Sequence, residues 1–392
     1  MTTFNFDQHI ERRGSSCAKW DDTEILFGSK DLLPLWIADT DFMIAPDIQN
    51  KLRKQVEHGI LGYPSCQATG FQELSDWLNK RHNWTTDLSW YSFSPGLVTA
   101  IAVAIQALTT TNDKIIIQPP VYPPFSAVLL ENKREILTNP LINDNGRYTI
   151  DFADLKIKAQ QAKVLVFCSP HNPVGRVWTK EELTELAQIA LDNDLIIISD
   201  EIHSDLIYKE HKHIPLATLN EQIAQQTITL IAPSKTFNIA GLFSSAVIIP
   251  NEKLRKTVQE HFQALHICES NVFGITAMQA AYKHGEKWLE ALLPYLQDNI
   301  NFLAKSLQEN TPKIKFHKPE GTFLIWLDCR ELGLTDEELH DFFAKEAKLA
   351  LNKGTTFGQE GSGFMRLNIG CPRQTLAKAI ELLTLAYKQR NF

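Results

Sequence analysis

The stretch KVLVFCSPHNPVGRVWTKEELTELAQIALDNDLIIISDEI, residues 163–202, decides the fold class. KVLVFCSP and LIIISDEI are short apolar runs rich in β-branched residues, as in strands buried on both faces of a sheet. Between them Thr179 and Glu182 have capping-box spacing, and Leu183, Leu186, Ala187, Ala190 and Leu191 recur on one helical face. Strand, crossover helix and strand make a βαβ unit. The same alternation brings KIIIQPP at 114, TITLIAPS at 227 and FSSAVIIP at 243, which predicts an α/β fold with a mostly parallel sheet flanked by helices.

Beyond about residue 290 the pattern changes to longer amphipathic helices around one strand pair, FLIWLD and FMRLNI. That pattern predicts a smaller α+β domain, completed by the N-terminal segment, which has no sheet pattern of its own. The expected division is 51–288 for the large domain and 1–50 with 289–392 for the small one. The uncharged run from Leu88 to Asn112 is long enough to be weighed as a membrane span, but Pro95, Gly96 and its hydroxyl residues read as strand, turn and buried helix.

The chain has 392 residues, 44% hydrophobic and 22% charged, enough to bury a large core. A net charge of −7 with scattered Lys and Arg argues against nucleic acid as a partner. Cys17, Cys66, Cys168, Cys268, Cys329 and Cys371 form no CxxC pair, which argues against a zinc knuckle or a disulfide framework and for reduced thiols. The first residues, MTTFNFDQHIERRG, have no secretory pattern, so a cytoplasmic protein is expected.

Ligands of open parallel sheets bind beyond the carboxyl ends of the strands. There stand Tyr122 after KIIIQPP, Asn172 after KVLVF, Asp200, Glu201 and His203 after LIIIS, and Lys235 after TITLI. Taken singly, Asp200 or Glu201 suits a helix cap, Asn172 a turn and Tyr122 the core. Together they bring an amine, a carboxylate, an amide, an imidazole and a phenol to one sheet edge. Lys235 has no acidic neighbour in sequence, so it is either solvated or a buried amine with a lowered pKa. Pro95 and Gly96 precede an apolar helix whose first amides, at Leu97, Val98 and Thr99, suit a phosphate. A metal reading would use Asp200, Glu201, His203, His211 and His213, although HKH on a charged loop reads more simply as solvated.

Nine blocks in order, LWIADTDF, GYPS, SPGLVTAI, PPVYPPF, SPHNPVGRVW, SDEIHSDL, APSKTFNIAGL, PEGTFLIWLD and FMRLNIGCPR, resemble the fold type I pyridoxal 5′-phosphate enzymes. Within them the chain resembles the aminotransferase-like carbon–sulfur β-lyases of the MalY and PatB kind. The resemblance implies that Lys235 bonds to the cofactor aldehyde and moves the substrate Cα proton. It implies that Asp200 pairs with the pyridine nitrogen, Asn172 donates to the phenolic oxygen and Tyr122 stacks on the ring. The phosphate would take Leu97, Val98, Ser234 and, from a second subunit of a homodimer, Tyr63. Arg366 would bind the substrate carboxylate, with Tyr122 and Tyr63 also bordering the substrate. His203 stands where related aminotransferases usually carry a tyrosine, near the same oxygen.

Two positions depart from the wider pattern: Ala232 and Phe243 replace a serine and an arginine that many relatives place on the phosphate. The resemblance implies β-elimination from L-cystathionine, L-cystine or L-cysteine to pyruvate, ammonia and a thiol or sulfide. Aminotransferase chemistry on the same residues, or binding of a transcription regulator, are the alternatives it carries. Specificity is expected from the mouth, where Trp36 to Phe42, Tyr63 and Lys353 to Gly363 converge.

Overall fold

The computed structural model describes residues 4–65 and 68–392, and Cys66 lies outside them. Seven strands form the main sheet, in spatial order Tyr91–Ser94, Ser245–Ile248, Thr227–Ile231, Ile196–Asp200, Val164–Cys168, Lys114–Ile117 and Glu135–Thr138. The last five are parallel, and Ser245–Ile248 runs antiparallel to both of its neighbours. FSSAVIIP thus forms a strand of reversed direction, consistent with a mostly parallel sheet. The run from Leu88 divides into the strand Tyr91–Ser94 and the helix Leu97–Leu108. Among the described residues no helix is long and apolar enough to cross a membrane.

Successive strand residues point to opposite faces, so each strand feeds two cores. Ile115, Ile117, Val164, Val166 and Ile198 pack with Ile101, Ala104 and Ile105 of the helix Leu97–Leu108. Ile116, Leu165, Phe167 and Ile197 pack on the other face with Leu183, Leu186 and Ala187. Those last three belong to the helix Lys180–Asp192, which opens with the expected reciprocal bonds between Thr179 and Glu182. Leu191 is only half-buried at the margin of this face.

A second sheet is antiparallel, with Phe364–Asn368 between Leu324–Asp328 and Asn352–Lys353. Leu303, Leu307, Leu376, Ala379 and Leu383 from the helices Glu286–Asn310 and Arg373–Gln389 pack with its Leu327 and Leu367. The N-terminal segment lies against it: Leu33–Pro34 pairs with Leu349–Ala350 in a separate parallel ladder, and the Leu35 carbonyl accepts the Asn368 amide at 2.9 Å.

The loop following Val164–Cys168 meets the loop preceding Leu324–Asp328. The Gly175 carbonyl accepts the Glu320 and Gly321 amides at 2.8 and 3.1 Å. Buried Arg176 donates to Glu320 and Glu182, closing a polar bridge beneath this contact. Gly175 has φ +70°, and an added Cβ would lie 2.5 Å from Pro319 Cβ. A Gly175→Ala variant is therefore expected to lose about 2 kcal/mol or more of stability, seen as a lower thermal midpoint. An unchanged midpoint would show that this contact carries no strain limit.

Candidate active site

Register brings the chemistry together. Cys168 pairs with Asp200, and Asp200 with Leu230, so three parallel strands end on one line. The chain leaving the third strand turns at Pro233 into the short helix Pro233–Thr236, which carries Lys235. A cavity of about 520 Å³ lies at this edge. Lys235, Asp200, Asn172, His203, Tyr122, Leu97, Val98, Ser234 and Arg366 all border it. Tyr63 does not; its side chain is 99% exposed, outside the cavity.

Asp200 is a buried carboxylate without an ion pair among the described residues. The Ile202 amide donates to its Oδ1 at 3.1 Å. Burial pushes its pKa up to about 7, against that hydrogen bond and the opposing charge of Lys235. Lys235 Nζ donates to the Ala38 carbonyl at 2.8 Å. Burial pulls its pKa down to about 8, with Asp39 and Asp200 opposing the fall and Arg366 assisting it. Lys235 is thus half-buried at the cavity with a lowered pKa, which departs from the solvated reading.

Arg366 lies on the central strand of the small sheet, opposite Asn352. Its Nη2 donates to the Trp36 carbonyl and to Asn352 Oδ1, both at 2.7 Å, and its Nη1 to Asn172 Oδ1 at 3.1 Å. The guanidinium carbon sits 4.9 Å from the Phe357 ring centroid. Its enclosed Nε has no partner among the described residues, which leaves donor capacity for an anion. The bond from Arg366 also orients Asn172: with Oδ1 occupied, Nδ2 is the free end, a donor at the cavity wall.

The helix Leu97–Leu108 points its first turn at the cavity through Leu97, Val98 and Thr99. First-turn amides have no intrahelical acceptor and sit at the positive end of the helix dipole, a ready place for a phosphate. Ala232 and Phe243 border the same cavity, so both departures from the wider pattern lie at the site. Tyr122 meets it too, its ring edge-on to Phe125 at 5.9 Å.

A strap formed by residues 36–42 supports the site through contacts that sequence reasoning did not single out. Asn238 Nδ2 donates to the Thr40 and Phe42 carbonyls at 3.0 and 2.8 Å, and Asn368 Nδ2 to those of Ile37 and Asp39, both at 2.6 Å. Lys19, fully enclosed, pairs with Asp41 at 2.9 Å, and Arg12 with Asp39 and Asp41 at 2.7 and 2.5 Å. Trp36 and Ala38 of this strap supply the carbonyls that hold Arg366 and Lys235. Asn368, two residues past Arg366 on the same strand face, was the only available signal. From Lys353 to Gly363, only Phe357 borders the cavity.

His213 departs from the solvated reading of HKH. It is buried, with its Nε2 2.8 Å from Glu201 Oε2. The fully buried Glu201 also accepts from Ser199 Oγ and the Leu216 amide, which explains why this loop folds inward.

Known proteins share this fold over almost the whole chain. The family model described as aminotransferase class I and II matches residues 30–383. The chain is 42% identical to cystathionine beta-lyase PatB of Bacillus subtilis, over 97% of this chain and 99% of that one. Cystalysin of Treponema denticola, whose structure contains a pyridoxal 5′-phosphate cofactor, superposes with a TM-score of 0.96 at 34% identity, covering 99% and 100% of the two chains. The PLP-bound C-S lyase of Staphylococcus hominis gives 0.92 at 35% identity, with 98% of each chain covered. The family match over residues 30–383, with relatives similar over almost the whole chain, places the chain in the aminotransferase class I and II family.

Proposed function

We propose that this protein is a pyridoxal 5′-phosphate-dependent carbon–sulfur β-lyase acting on L-cystathionine, L-cystine or L-cysteine. The observation that carries the reading is the meeting, on one cavity, of a half-buried lysine amine with a buried carboxylate that has no ion pair among the described residues. The residues present fit the cofactor. Asp200 suits a protonated pyridine nitrogen, which would neutralise it, and Asn172 Nδ2 suits the phenolic oxygen. The amides of Leu97 and Val98, with Ser234, suit the phosphate, and Tyr122 suits the ring face.

When bound, the cofactor supplies an aldehyde for the substrate amino group and a ring that withdraws electrons from Cα. Arg366 binds the substrate carboxylate and fixes the Cα–H bond relative to Lys235. Lys235 Nζ, neutral above about pH 8, takes the Cα proton. Asp200 keeps the pyridine nitrogen protonated. The Cβ–S bond then breaks with its electron pair on sulfur, which leaves as a thiolate and takes up a proton. The three-carbon remainder is hydrolysed to pyruvate and ammonia, so that cystathionine and water yield homocysteine, pyruvate and ammonia. Support for elimination over transamination comes from the relatives described as β-lyases, and from Ala232 and Phe243 at the cavity.

The enzyme is read as a cytoplasmic homodimer with composite sites. Val56, Ile60, Leu61 and Tyr63 form an exposed apolar run, and Phe243 at the cavity edge is exposed as well. A second copy covering them would carry its own Tyr63 to the phosphate. The free thiols of Cys17, Cys168, Cys268, Cys329 and Cys371 suit a reducing compartment. The division into units 51–288 and 1–50 with 289–392 belongs to the same reading, supported by the two sheets.

Incubation with these sulfur amino acids is expected to release pyruvate, ammonia and thiol or sulfide in equal amounts without an oxo acid. Lys235→Ala should lower the rate at least about 10³-fold. Faster amino transfer to 2-oxoglutarate than pyruvate release would overturn the lyase reading.

Asp200 also gives a pH signature. Its folded-state pKa is raised, so the native chain binds the extra proton between the ordinary carboxylate range and about pH 7, and this contribution to stability is lost as pH rises through 7. In the cofactor-free protein, Asp200→Asn should therefore gain thermal stability over the unmodified chain above pH 7, with roughly 4 kcal/mol as the upper bound. The gain should vanish near pH 4; a gain independent of pH would contradict the assignment.

A further inference from the structure

His203 is the cavity residue whose role the preceding chemistry leaves open. Its side chain is buried, and its ring meets Phe323 edge-on with centroids 6.1 Å apart. Nδ1 is fully enclosed and has no hydrogen-bond partner among the described residues. Nε2 makes no hydrogen bond among the described residues and yet is not an enclosed unpartnered atom, so it is the nitrogen with access to the cavity that His203 borders.

We propose that His203 is locked as the neutral tautomer with its proton on Nε2, and that this N–H is a fixed donor to an anionic oxygen of the ligand. A neutral imidazole must put its proton on one nitrogen. On Nδ1 the result would be a buried N–H with no acceptor, one of the rarest defects in folded proteins, whereas a bare Nδ1 lone pair costs less. On Nε2 the proton faces the cavity. The charged and titratable groups sharing that cavity are Lys235, Arg366, Asp200, Tyr122 and Cys168. Burial, aided by the Lys235 and Arg366 charges, pushes the imidazolium pKa down to about 3, so His203 does not titrate in the working range.

The consequence is a division of labour. Asn172 Nδ2 and His203 Nε2 both present donors, and neither presents an acceptor, at a cavity whose proton-moving group is Lys235. A tyrosine at position 203 could donate, accept or ionise; this histidine can only donate. Resting on the pyridoxal phosphate reading, the oxygen it serves is the phenolic one. The tautomer itself does not depend on that reading.

His171 provides an internal reference. It is also buried with an orphan Nδ1, and its Nε2 lies 2.9 Å from the Pro120 carbonyl, which fixes the same tautomer by a visible acceptor. The test is nitrogen NMR on the full chain labelled with ¹⁵N-histidine, without and with pyridoxal 5′-phosphate, using His203→Gln to assign the signal. His203 should show a pyrrole-type Nε2 and a pyridine-type Nδ1, like His171, with no titration between pH 5 and 9. In a second arm, the pH midpoint of the bound cofactor's absorbance change is compared among variants. An anionic oxygen that loses a donor holds protons more tightly, so His203→Leu should raise the midpoint by about one pH unit. His203→Gln, which retains an N–H donor, should restore it, an outcome a packing role would not give. A protonated ring, the Nδ1–H tautomer, or an unchanged midpoint in His203→Leu would overturn the proposal. Absence of stoichiometric pyridoxal 5′-phosphate binding by the unmodified chain would instead refute the cofactor reading, with the tautomer still decided by the first arm.

Discussion

Two groups of opposite charge, the buried Asp200 and the half-buried Lys235, share one cavity without forming a direct ion pair. Each is costly there in its charged form: burial raises the acid to about pH 7 and lowers the base to about pH 8. Direct pairing would relieve both and leave neither available to a ligand. Instead the carboxylate keeps one backbone amide, and the amine is held by the carbonyl of Ala38. The frame must hold them in place against this cost, and the rest of the structure shows how it does so.

One part of the frame is the parallel sheet, whose register brings Cys168 and Asp200 to the same edge and sends the chain toward Lys235. The other is the strap of residues 36–42, pinned by Asn238, Asn368 and the enclosed Lys19–Asp41 pair. Buried ion pairs of this kind contribute position more than net stability. Because strap carbonyls accept from both Lys235 and Arg366, the N-terminal segment orients the amine and the carboxylate-binding guanidinium together. Arg366 in turn orients Asn172, so one arginine links the small sheet to the ends of the large one.

The parallel core was legible because its signal is local: apolar runs of strand length, a capping box and turn residues at fixed offsets. The residues at the strand ends were legible as well, since parallel strands share one direction and their carboxyl ends share one edge. What could not be read was contact between distant segments. Lys19 looks like any N-terminal lysine, and only the fold shows it enclosed 22 residues before Asp41 in the chain. His213 looked solvated because the sequence says nothing of Glu201 folding beneath its loop. Tyr63, assigned from resemblance to a neighbouring subunit's site, stands outside the cavity of its own chain.

The central claim is that Lys235 is a half-buried cavity amine whose proton affinity has been lowered by its surroundings. Its most direct test is the pH dependence of borohydride-trapped labelling of the cofactor-free protein by pyridoxal 5′-phosphate, read by mass analysis of the peptide containing Lys235. Labelling at that one peptide, rising with a midpoint near pH 8, is the required result. Labelling spread over surface lysines, or a Lys235 midpoint near the ordinary lysine value of about 10.4, would contradict the account.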